Sequence, residues 1–554
     1  MKNLAFSISF LMIFAGTLSS QTNTLDMMSL QDLAPSTSLV YPGTNGRLVY
    51  VADSMGNTVP DFSNAGYKGG GSAIPFVAVK VTVWPVLGDN TANIQAAIDR
   101  VSALPVDAAG FRGAVLLKMG IYELGSPLFV KASGVVLRGE GMSDIGTILI
   151  GKIQKSAPGS KAPRQALLNI GGTSGATPIE ESKQLITDKY VPVGARSFSV
   201  VSAKAFKAGD KVLVRRIGNQ EWINELGLSK EAAGNFSWRP FTISWDRVIV
   251  SVSGNTITID APIFSAIETH WGGGEIVKCD DQGRIVQVGV ENLRGISEYD
   301  PSVRTTVYGN IDRGSYDDAD GIIYHGEEYY SDENHYYNVI GISNAKDVWI
   351  RNITALHFAS SLASVNATAK WVTVQDCESR EPISIRAGSR RFTFQLSGQL
   401  SLVQRCLSVK GRHSFVMGGS SSSGNVFLDC KAINPFSTSE PHSNWVNGAL
   451  YDNVKAPLTA RFWKDISIGW AGANIVFWNC EGDYLIQKPP TAQNYSFGHI
   501  GLNAVVYNAI YQDHSKENGH VESMDKHVFP RSLYLTQLKE RLGLDAVNNI
   551  TANQ

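Results

Sequence analysis

The sequence lacks three features that would assign it to a familiar class: an excess charge of one sign, paired cysteines, and an apolar run long enough to cross a membrane. Its 49 Lys and Arg residues balance 50 Asp and Glu residues, leaving a formal net charge of -1. Nothing therefore favours nucleic acid or an anionic membrane as a partner. The five cysteines are odd in number and include no Cys-x-x-Cys pair, which argues against a disulfide framework and a zinc site.

Two catalytic motifs are also absent. The Gly-rich runs lack the Lys-Ser/Thr ending of a phosphate-binding loop, and no Gly-x-Ser-x-Gly elbow supports a serine hydrolase. Glycine itself is abundant, with 53 residues, which suits a chain with many tight turns.

The N-terminus carries the one long apolar run. Lys2 precedes the apolar stretch 4–18, and Ser19, Ser20 and Gln21 follow it. This run is too short for a stable span, and its flanks are typical of a secretory signal peptide, residues 1–20. The first cysteine is Cys279, so no acceptor for a lipid anchor lies near the expected cleavage point. We expect a secreted or periplasmic protein with no membrane insertion.

A repeat of short strands runs through the second half of the chain. Each unit is a β-branched or aromatic run that ends in a polar residue and then a small apolar one. The final positions step by 24, 29, 24 and 50 residues, the last being two coils. This spacing is typical of the rungs of a β-helix. The units end at Ile353, Cys377, Cys406, Cys430 and Cys480.

The spacing gives the cysteines a structural interpretation. On stacked coils they would form a ladder of small buried side chains. A nucleophilic cysteine would instead need a nearby base and an electropositive pocket, and the sequence offers no reason to select one. The sequence thus predicts one continuous solenoid domain, 21–554, in place of several globular domains.

Three segments depart from the repeat. Asn90 to Val101 has apolar residues at helical spacing and is predicted to cap the open end of the solenoid. Residues of about 180–265 look like a small inserted β subdomain, and the stretch of about 298–338 is a long loop of the kind that carries function. A C-terminal helix is predicted at about 530–545, as a second cap or packed along the coils.

A resemblance to a known superfamily supports this architecture. The stretches 120–124 and 133–141 are similar to the opening coils of pectate-lyase-like enzymes. Gly411-Arg-His413, Trp445 and Trp478-Asn-Cys480 resemble a bacterial polysaccharide-lyase-like branch of that superfamily. The resemblance implies an all-β, single-stranded right-handed parallel β-helix that acts on a polysaccharide. The superfamily holds lyases, hydrolases and non-catalytic members. The aspartates with which classical pectate lyases bind calcium have no counterpart on these rungs.

Cleavage of a uronic-acid polymer by β-elimination sets clear chemical demands. The sugar carboxylate must be neutralised, a base must remove the C5 proton, and an acid must protonate the leaving oxygen. The expected signature is therefore a cluster of Arg, His, Tyr and amide side chains on one face, whereas a carboxylate pair alone would indicate glycoside hydrolysis.

The densest such cluster lies between Arg386 and His442. At a coil length of 24–29 residues its loops fall at similar positions on successive coils, which would bring them into one groove. We predict that His413 or His442 is the base and that Arg391 or Arg412 faces the sugar carboxylate. The alternative is that the arginines bridge carboxylates and the histidines bind turn carbonyls. Predicted substrate-binding residues here are Arg390, Gln395, Gln399, Asn444, Trp445 and, further along, Trp470.

A second cluster lies in the long loop. His335 is a further catalytic candidate, and Tyr330 and Tyr336 are predicted to bind sugar. Asp332 and Glu333 are candidate positioning groups or ligands of a metal such as Ca²⁺, although no EF-hand spacing is present. The alternative is a solvated acidic loop whose tyrosines cover the solenoid. The loop is acidic upstream, at Asp317, Asp318, Asp320, Glu327 and Glu328, with His325 among them.

The sequence predicts a secreted, monomeric polysaccharide lyase that binds an acidic polysaccharide such as a glycosaminoglycan, a pectin-like polymer or an algal polymer. The first alternative is a glycoside hydrolase with carboxylates drawn from the 317–333 region or from Asp429 and Asp452. The second is a non-catalytic glycan-binding surface protein.

Overall fold

The computed structural model describes residues 35–153, 164–307, 325–503 and 512–552. The predicted signal peptide and the acidic residues Asp317, Asp318 and Asp320 lie outside these ranges. Within the described part of the chain, no helix combines the length and apolar character that a membrane span requires.

The chain winds into coils whose strands pair in parallel with those one coil away. Val374 is the partner of Val403, and Val403 is the partner of Phe427, so the pairing offset equals the coil length of 24–29 residues. The predicted right-handed parallel β-helix is confirmed. The first parallel sheet contains Val79–Val83, Gly113–Leu117, Gly120–Leu124, Val135–Arg138, Thr147–Gly151, Ile285–Ser297, Ala345–His357, Lys370–Gln375, Glu378–Pro382, Leu402–Gln404, Leu407–Val409, Ser423–Leu428, Lys431–Ile433, Val446–Asp452, Gly472–Trp478, Tyr495–Phe497 and His520–Glu522.

A second parallel sheet forms another side of the coils, and apolar side chains from both sheets fill the interior. A bridge from Ser439 to Leu458 continues it toward a further parallel pair, Leu458–Ala460 with Tyr484–Ile486. The second sheet contains Leu128–Val130, Ala166–Gly171, Asn338–Ser343, Ala363–Val365, Phe392–Leu396, His413–Met417 and Glu440–Pro441.

The cysteines stack on successive coils as predicted. Cys377, Cys406 and Cys430 each follow a strand by two residues at matching register, and all three are buried with free thiols. Val454 holds the same position on the next coil and Cys480 on the one after, which explains the step of 50 residues.

The polar residue before each of these small residues makes the bend at the end of the strand. Asp376, Arg405, Asp429, Asn453 and Asn479 all have φ between 51° and 55°. Asn and Asp tolerate this left-handed conformation better than most residues. The polar residue followed by a small apolar one, at the end of each repeat unit, is therefore the sequence signature of this bend between strands.

An antiparallel subdomain is inserted between the early and the middle coils, over 177–280, and the sequence-predicted range of about 180–265 lies inside it. Its sheet contains Thr177–Leu185, Ser197–Ser199, Lys211–Ile217, Thr242–Ser253, Thr256–Ile259 and Gly274–Asp280. Tyr190–Val191 pairs with Ile267–Glu268, and the connections include helices Gln220–Glu225 and Lys230–Ala233.

The insert packs on the outer face of the first parallel sheet. Phe264 lies so close to Gly448 that a Cβ there would come within 2.2 Å of its ring, and Gly448 has φ +64°. Lys370 Nζ contributes a buried ion pair to Asp246 Oδ1 at 3.0 Å, and Arg284 contacts the same carboxylate. These contacts fix the insert against the coils, so that it can form one wall of a site.

Helices cover both terminal regions. The predicted capping helix spans Thr91–Ser102 and buries Ile94, Ala97, Ile98 and Val101. The predicted C-terminal helix spans Leu533–Leu542 and is followed by a second helix, Leu544–Thr551. These two helices lie along the coils, on the outer face of the first sheet.

Three hairpins complete the secondary structure. They pair Val40–Pro42 with Leu48–Tyr50, Arg304–Val307 with His325–Tyr330, and Phe462–Trp463 with Gly469–Trp470. Short 3-10 turns occupy Tyr67–Gly69 and Gly234–Phe236.

Candidate active site

A glutamate and a histidine form a close pair at the end of the second parallel sheet. Glu440 and His442 flank Pro441, and a residue before proline is held in extended conformation. Side chains two residues apart in an extended chain face the same side. Accordingly, His442 Nδ1 lies 2.6 Å from Glu440 Oε1.

The Glu440 carboxylate is fully buried and richly hydrogen-bonded. The hydroxyls of Thr438 and Thr459 both donate to Oε2 at 2.7 Å, and His413 Nδ1 lies 3.3 Å from Oε1. Burial alone would raise the pKa of Glu440, but the neighbouring histidines hold this pKa well below its usual range. Glu440 is therefore an ionised hydrogen-bond acceptor at neutral pH.

The acceptors around the two imidazoles determine their tautomers. His413 Nδ1 lies 2.6 Å from the Thr438 carbonyl, which only accepts, so the proton sits on Nδ1. Burial lowers the pKa of His413 well below its ordinary value, and Glu440 opposes this shift. In His442 the Glu440 carboxylate likewise places the proton on Nδ1. Nε2 of a neutral His442 is then a basic nitrogen.

His442 opens onto a cleft of about 530 Å³ between the coils and the insert. Its side chain is 19% exposed, whereas that of His413 is wholly buried. The cleft therefore gives a ligand access to one of the two imidazoles. Its lining is Ser237, Trp238, Arg239, Phe241, Ser420, His442, Ser443, Asn444, Ser467 and Ile468.

The charge of this cleft is positive. Arg239 is exposed and has no ion-pair partner among the described residues, and no Asp or Glu lines the cleft. Trp238 donates its indole N–H to the Ser467 carbonyl at 2.9 Å, which fixes its ring at the wall. Asn444, also exposed, adds an amide. A cation, an aromatic ring and an amide thus surround the imidazole.

A second cation lies behind the pair. Arg461 is 1% exposed, stacks 3.8 Å over the Trp463 ring and, within the described ranges, has no hydrogen-bond partner for its guanidinium. The Trp463 ring is also 5.8 Å from that of His442. Burial lowers the pKa of Arg461 while Glu440 raises it, so the two charges act on each other.

His413, Glu440 and His442 could be read as metal ligands, since their ligand atoms lie within 4.8 Å of one another. Two imidazoles and one carboxylate do not suit calcium, which takes oxygen ligands. Both Nδ1 atoms are already engaged, and Arg461 adds positive charge beside the carboxylate. We therefore treat the trio as a hydrogen-bonded network.

The arginines predicted to face the sugar carboxylate are buried in the loops between the sheets. Arg391 Nη2 donates to the Ser384 carbonyl at 2.7 Å, and Arg412 donates to the Gly388 carbonyl. Arg390 pairs with Glu333 through two contacts of 2.7 and 2.6 Å. None of the three lines the cleft of His442.

His335 and its neighbours are also engaged in the fold. His335 contacts the Ser297 hydroxyl at 2.8 Å through Nδ1 and two carbonyls at 3.0 Å through Nε2. Asp332 accepts the backbone N–H groups of Asp300 and Asn334. Asp332 and Glu333 therefore bind different partners and do not converge on one point. Of the two tyrosines, Tyr336 is buried and Tyr330 is half-buried, its hydroxyl accepting from Arg304 at 3.0 Å.

The remaining predicted sugar contacts mostly hold the insert in place. Gln399 donates to the Ser244 carbonyl at 2.9 Å, Trp445 packs 5.1 Å from Trp222, and Trp470 donates to the Leu226 carbonyl at 3.1 Å. Gln395 lies within the second sheet. Of the predicted site residues, the cleft brings together His442 and Asn444.

Sequence reasoning missed Glu440, Trp238, Arg239 and Arg461. The first had a local signal, since Glu-Pro-His places an acceptor beside an imidazole. Trp238 and Arg239 of the insert had no such signal. Their segment is about 200 residues from His442 in sequence, so it meets His442 only after folding.

No family model matches the chain, and no curated protein matches it. Similar solved structures include polygalacturonase from Erwinia carotovora ssp. carotovora, at 10% identity and a TM-score of 0.36, covering 81% of this chain and 98% of that chain. DFA-IIIase from Arthrobacter chlorophenolicus A6 in complex with DFA-III matches at 10% identity and a TM-score of 0.33, covering 82% of this chain and 92% of that chain. The tailspike of E. coli bacteriophage HK620 in complex with pentasaccharide matches at 10% identity and a TM-score of 0.33, covering 90% of this chain and 71% of that chain. Likeness at this level transfers no activity.

Proposed function

We propose that the protein is a secreted polysaccharide lyase that cleaves a uronate-containing glycan by β-elimination, with His442 as the base. The observation that carries the proposal is the 2.6 Å contact between His442 Nδ1 and the buried Glu440 carboxylate, at the wall of a cleft lined by Arg239. A buried carboxylate orients the imidazole and stabilises the imidazolium that forms when it takes a proton.

The reaction needs one base and one cation near the same sugar. Nε2 of His442 removes the C5 proton, the C–H electrons form the C4–C5 double bond, and the C4–O bond breaks. Arg239 neutralises the sugar carboxylate and so stabilises the negative charge that develops next to C5. Protonated His442 then returns a proton to the leaving oxygen. Trp238 offers a ring to the sugar face, and Asn444 offers an amide to its hydroxyls.

Electrostatics favour elimination over hydrolysis. A glycoside hydrolase requires two carboxyl groups, one of which is protonated and donates to the leaving group. The carboxylate at this site, Glu440, has its pKa held well below the usual range, so it cannot serve as that donor near neutral pH. Asp429 pairs with Arg531, and Asp452 is buried beneath the C-terminal helix, where it accepts from Ser532 and Tyr534.

The test is a screen of acidic polysaccharides, followed by ultraviolet absorbance for an unsaturated uronate and a separate assay for reducing ends. We expect absorbance to rise for at least one polymer, and we expect His442→Ala to abolish this signal. His514→Ala, at an exposed histidine outside the cleft, is the matched control and should retain full activity. Reducing ends without absorbance would indicate a hydrolase, and binding without either would indicate a glycan-binding protein.

His413→Ala separates the two imidazoles. Because His413 is wholly buried, its truncation should act through stability and through the position of Glu440. If both His413→Ala and His442→Ala kept full activity, this assignment of the site would be wrong.

A further inference from the structure

A second cleft of about 520 Å³ lies where the N-terminal segment, the insert and the last coils meet. Tyr190 and Trp271 of the insert lie on one side, and Tyr495 and Gln493 of the coils on the other. The Tyr190 hydroxyl donates to Asn57 Oδ1 at 2.8 Å, which holds its ring in place. The volume suits one or two sugar rings.

One tryptophan contacts the linings of both this second cleft and the cleft of His442. The Trp222 indole donates to the Thr491 hydroxyl at 3.1 Å, and Thr491 lines the second cleft. The Trp222 ring also packs 5.0 Å from Phe241, which lines the cleft of His442. The linings of the two clefts are therefore joined through Trp222, which contacts Phe241 of one and Thr491 of the other.

The charges of the two clefts differ in a way that predicts their occupants. The lysine of the second cleft is already paired, Lys488 with Glu517 at 2.9 Å, and His520 contacts Glu522 at 2.6 Å. Asp53 and Glu268 line the same cleft. Burial raises the pKa of Glu268, which indicates that water has limited access to this carboxyl group. A uronate would meet carboxylates here, whereas it meets Arg239 in the other cleft.

We propose that the second cleft binds an uncharged sugar ring of the same chain whose uronate is cleaved beside His442. The inference rests on the proposed function and narrows its substrate to a heteropolysaccharide that contains neutral sugars near the cleaved uronate. The rings of Tyr190 and Trp271 take the apolar sugar face, and the Gln493 amide and Glu268 carboxylate bind hydroxyls.

Calorimetry with neutral trisaccharides of gluco-, galacto- and manno-configuration tests the proposal on the intact protein. We expect at least one trimer to bind, and we expect Trp271→Ala to weaken it about tenfold. Trp84→Ala, at an exposed tryptophan outside both clefts, should leave binding unchanged. Met55→Arg obstructs the cleft from an exposed rim position, so it should also abolish binding without disturbing the core.

The proposal is overturned if no neutral trimer binds saturably up to about 10 mM, or if Trp271→Ala and Met55→Arg bind as well as the wild type. An equal loss in Trp84→Ala would overturn it too. The unsaturated product of the lyase assay is measured separately, so failure of the binding proposal and failure of the proposed function are distinguishable. On a substrate polymer, Trp271→Ala should raise KM at unchanged kcat.

Discussion

His442 Nδ1 lies 2.6 Å from Glu440 Oε1, and the two residues differ in exposure: the carboxylate is wholly buried, whereas the imidazole reaches a cleft. Thr438 and Thr459 bind the other carboxylate oxygen. The pair therefore presents one basic nitrogen to a ligand while its charge stays inside the protein.

Glu440→Gln tests the role of that charge. The amide keeps the size of the side chain but removes its negative charge, so the imidazolium formed during catalysis loses its counter-ion. We expect kcat to fall at least about a hundredfold, measured as the initial rate of unsaturated product. Glu181→Gln, at an exposed glutamate outside both clefts, is the control. A kcat within twofold of the wild type in Glu440→Gln would contradict the role of Glu440.

Lys370→Met tests how the insert is held against the coils. Lys370 is 2% exposed, and it donates to both the carbonyl and the carboxylate of Asp246. Removing one partner of a buried ion pair should lower the free energy of unfolding by about 3 kcal/mol in urea titrations. Lys455→Met breaks the exposed pair with Glu481 and should cost under about 1 kcal/mol. A loss in Lys370→Met as small as that expected for Lys455→Met would contradict the stabilising role of the buried pair.

Cys430→Ser tests the cysteine ladder. A hydroxyl in this apolar stack should cost about 1–3 kcal/mol of unfolding free energy. Cys430→Val should cost less, under about 1.5 kcal/mol, since Val454 already occupies the equivalent position one coil later. The free thiols are buried, and burial raises the pKa of Cys430 well above its ordinary value. Native protein should therefore resist alkylation. Rapid labelling of Cys430, or a serine variant as stable as the valine variant, would contradict the stacking.

Asp452 should make stability depend on pH. Burial raises the pKa of Asp452 to about 7, above the ordinary value of 3.8. Between these values the folded protein binds the proton that the unfolded chain has released, so stability is greatest at the acidic end and falls as pH rises, by at most about 1.4 kcal/mol per pH unit. Asp452→Asn removes this dependence.

Denaturant titrations at intervals from about pH 4.5 to 8 compare the wild type with Asp452→Asn. The variant should gain stability relative to the wild type as pH rises. A constant difference across this range would contradict the shifted pKa of Asp452.

The coil architecture could be predicted because it is local and repeated. Each unit carries its own strand, its own corner and its own buried residue, and the corner residue must tolerate positive φ. Asp376, Asp429 and Asn479 therefore mark bends that the amino-acid pattern alone identifies. The capping helix was predictable for the same reason, since Ile94, Ala97, Ile98 and Val101 share one face.

The site could be predicted only in part. His442 and Asn444 lie in one loop of the repeat, so the coil spacing located them. Sequence spacing does not distinguish the inner side of a loop from its outer side. The sequence therefore predicts Arg391 or Arg412 at a sugar carboxylate, although both bind carbonyl groups in the loops. Arg239 comes from the insert, and no periodicity connects the insert to the coils.

The most direct test of the central claim is a crystal structure of His442→Ala soaked with an oligosaccharide of a polymer that the wild-type protein binds or cleaves. Our account predicts a uronate in the cleft of Trp238 and Asn444, with its carboxylate at Arg239 and its C5 facing the position of the removed imidazole. A uronate bound elsewhere on the coils, with this cleft empty, would contradict it.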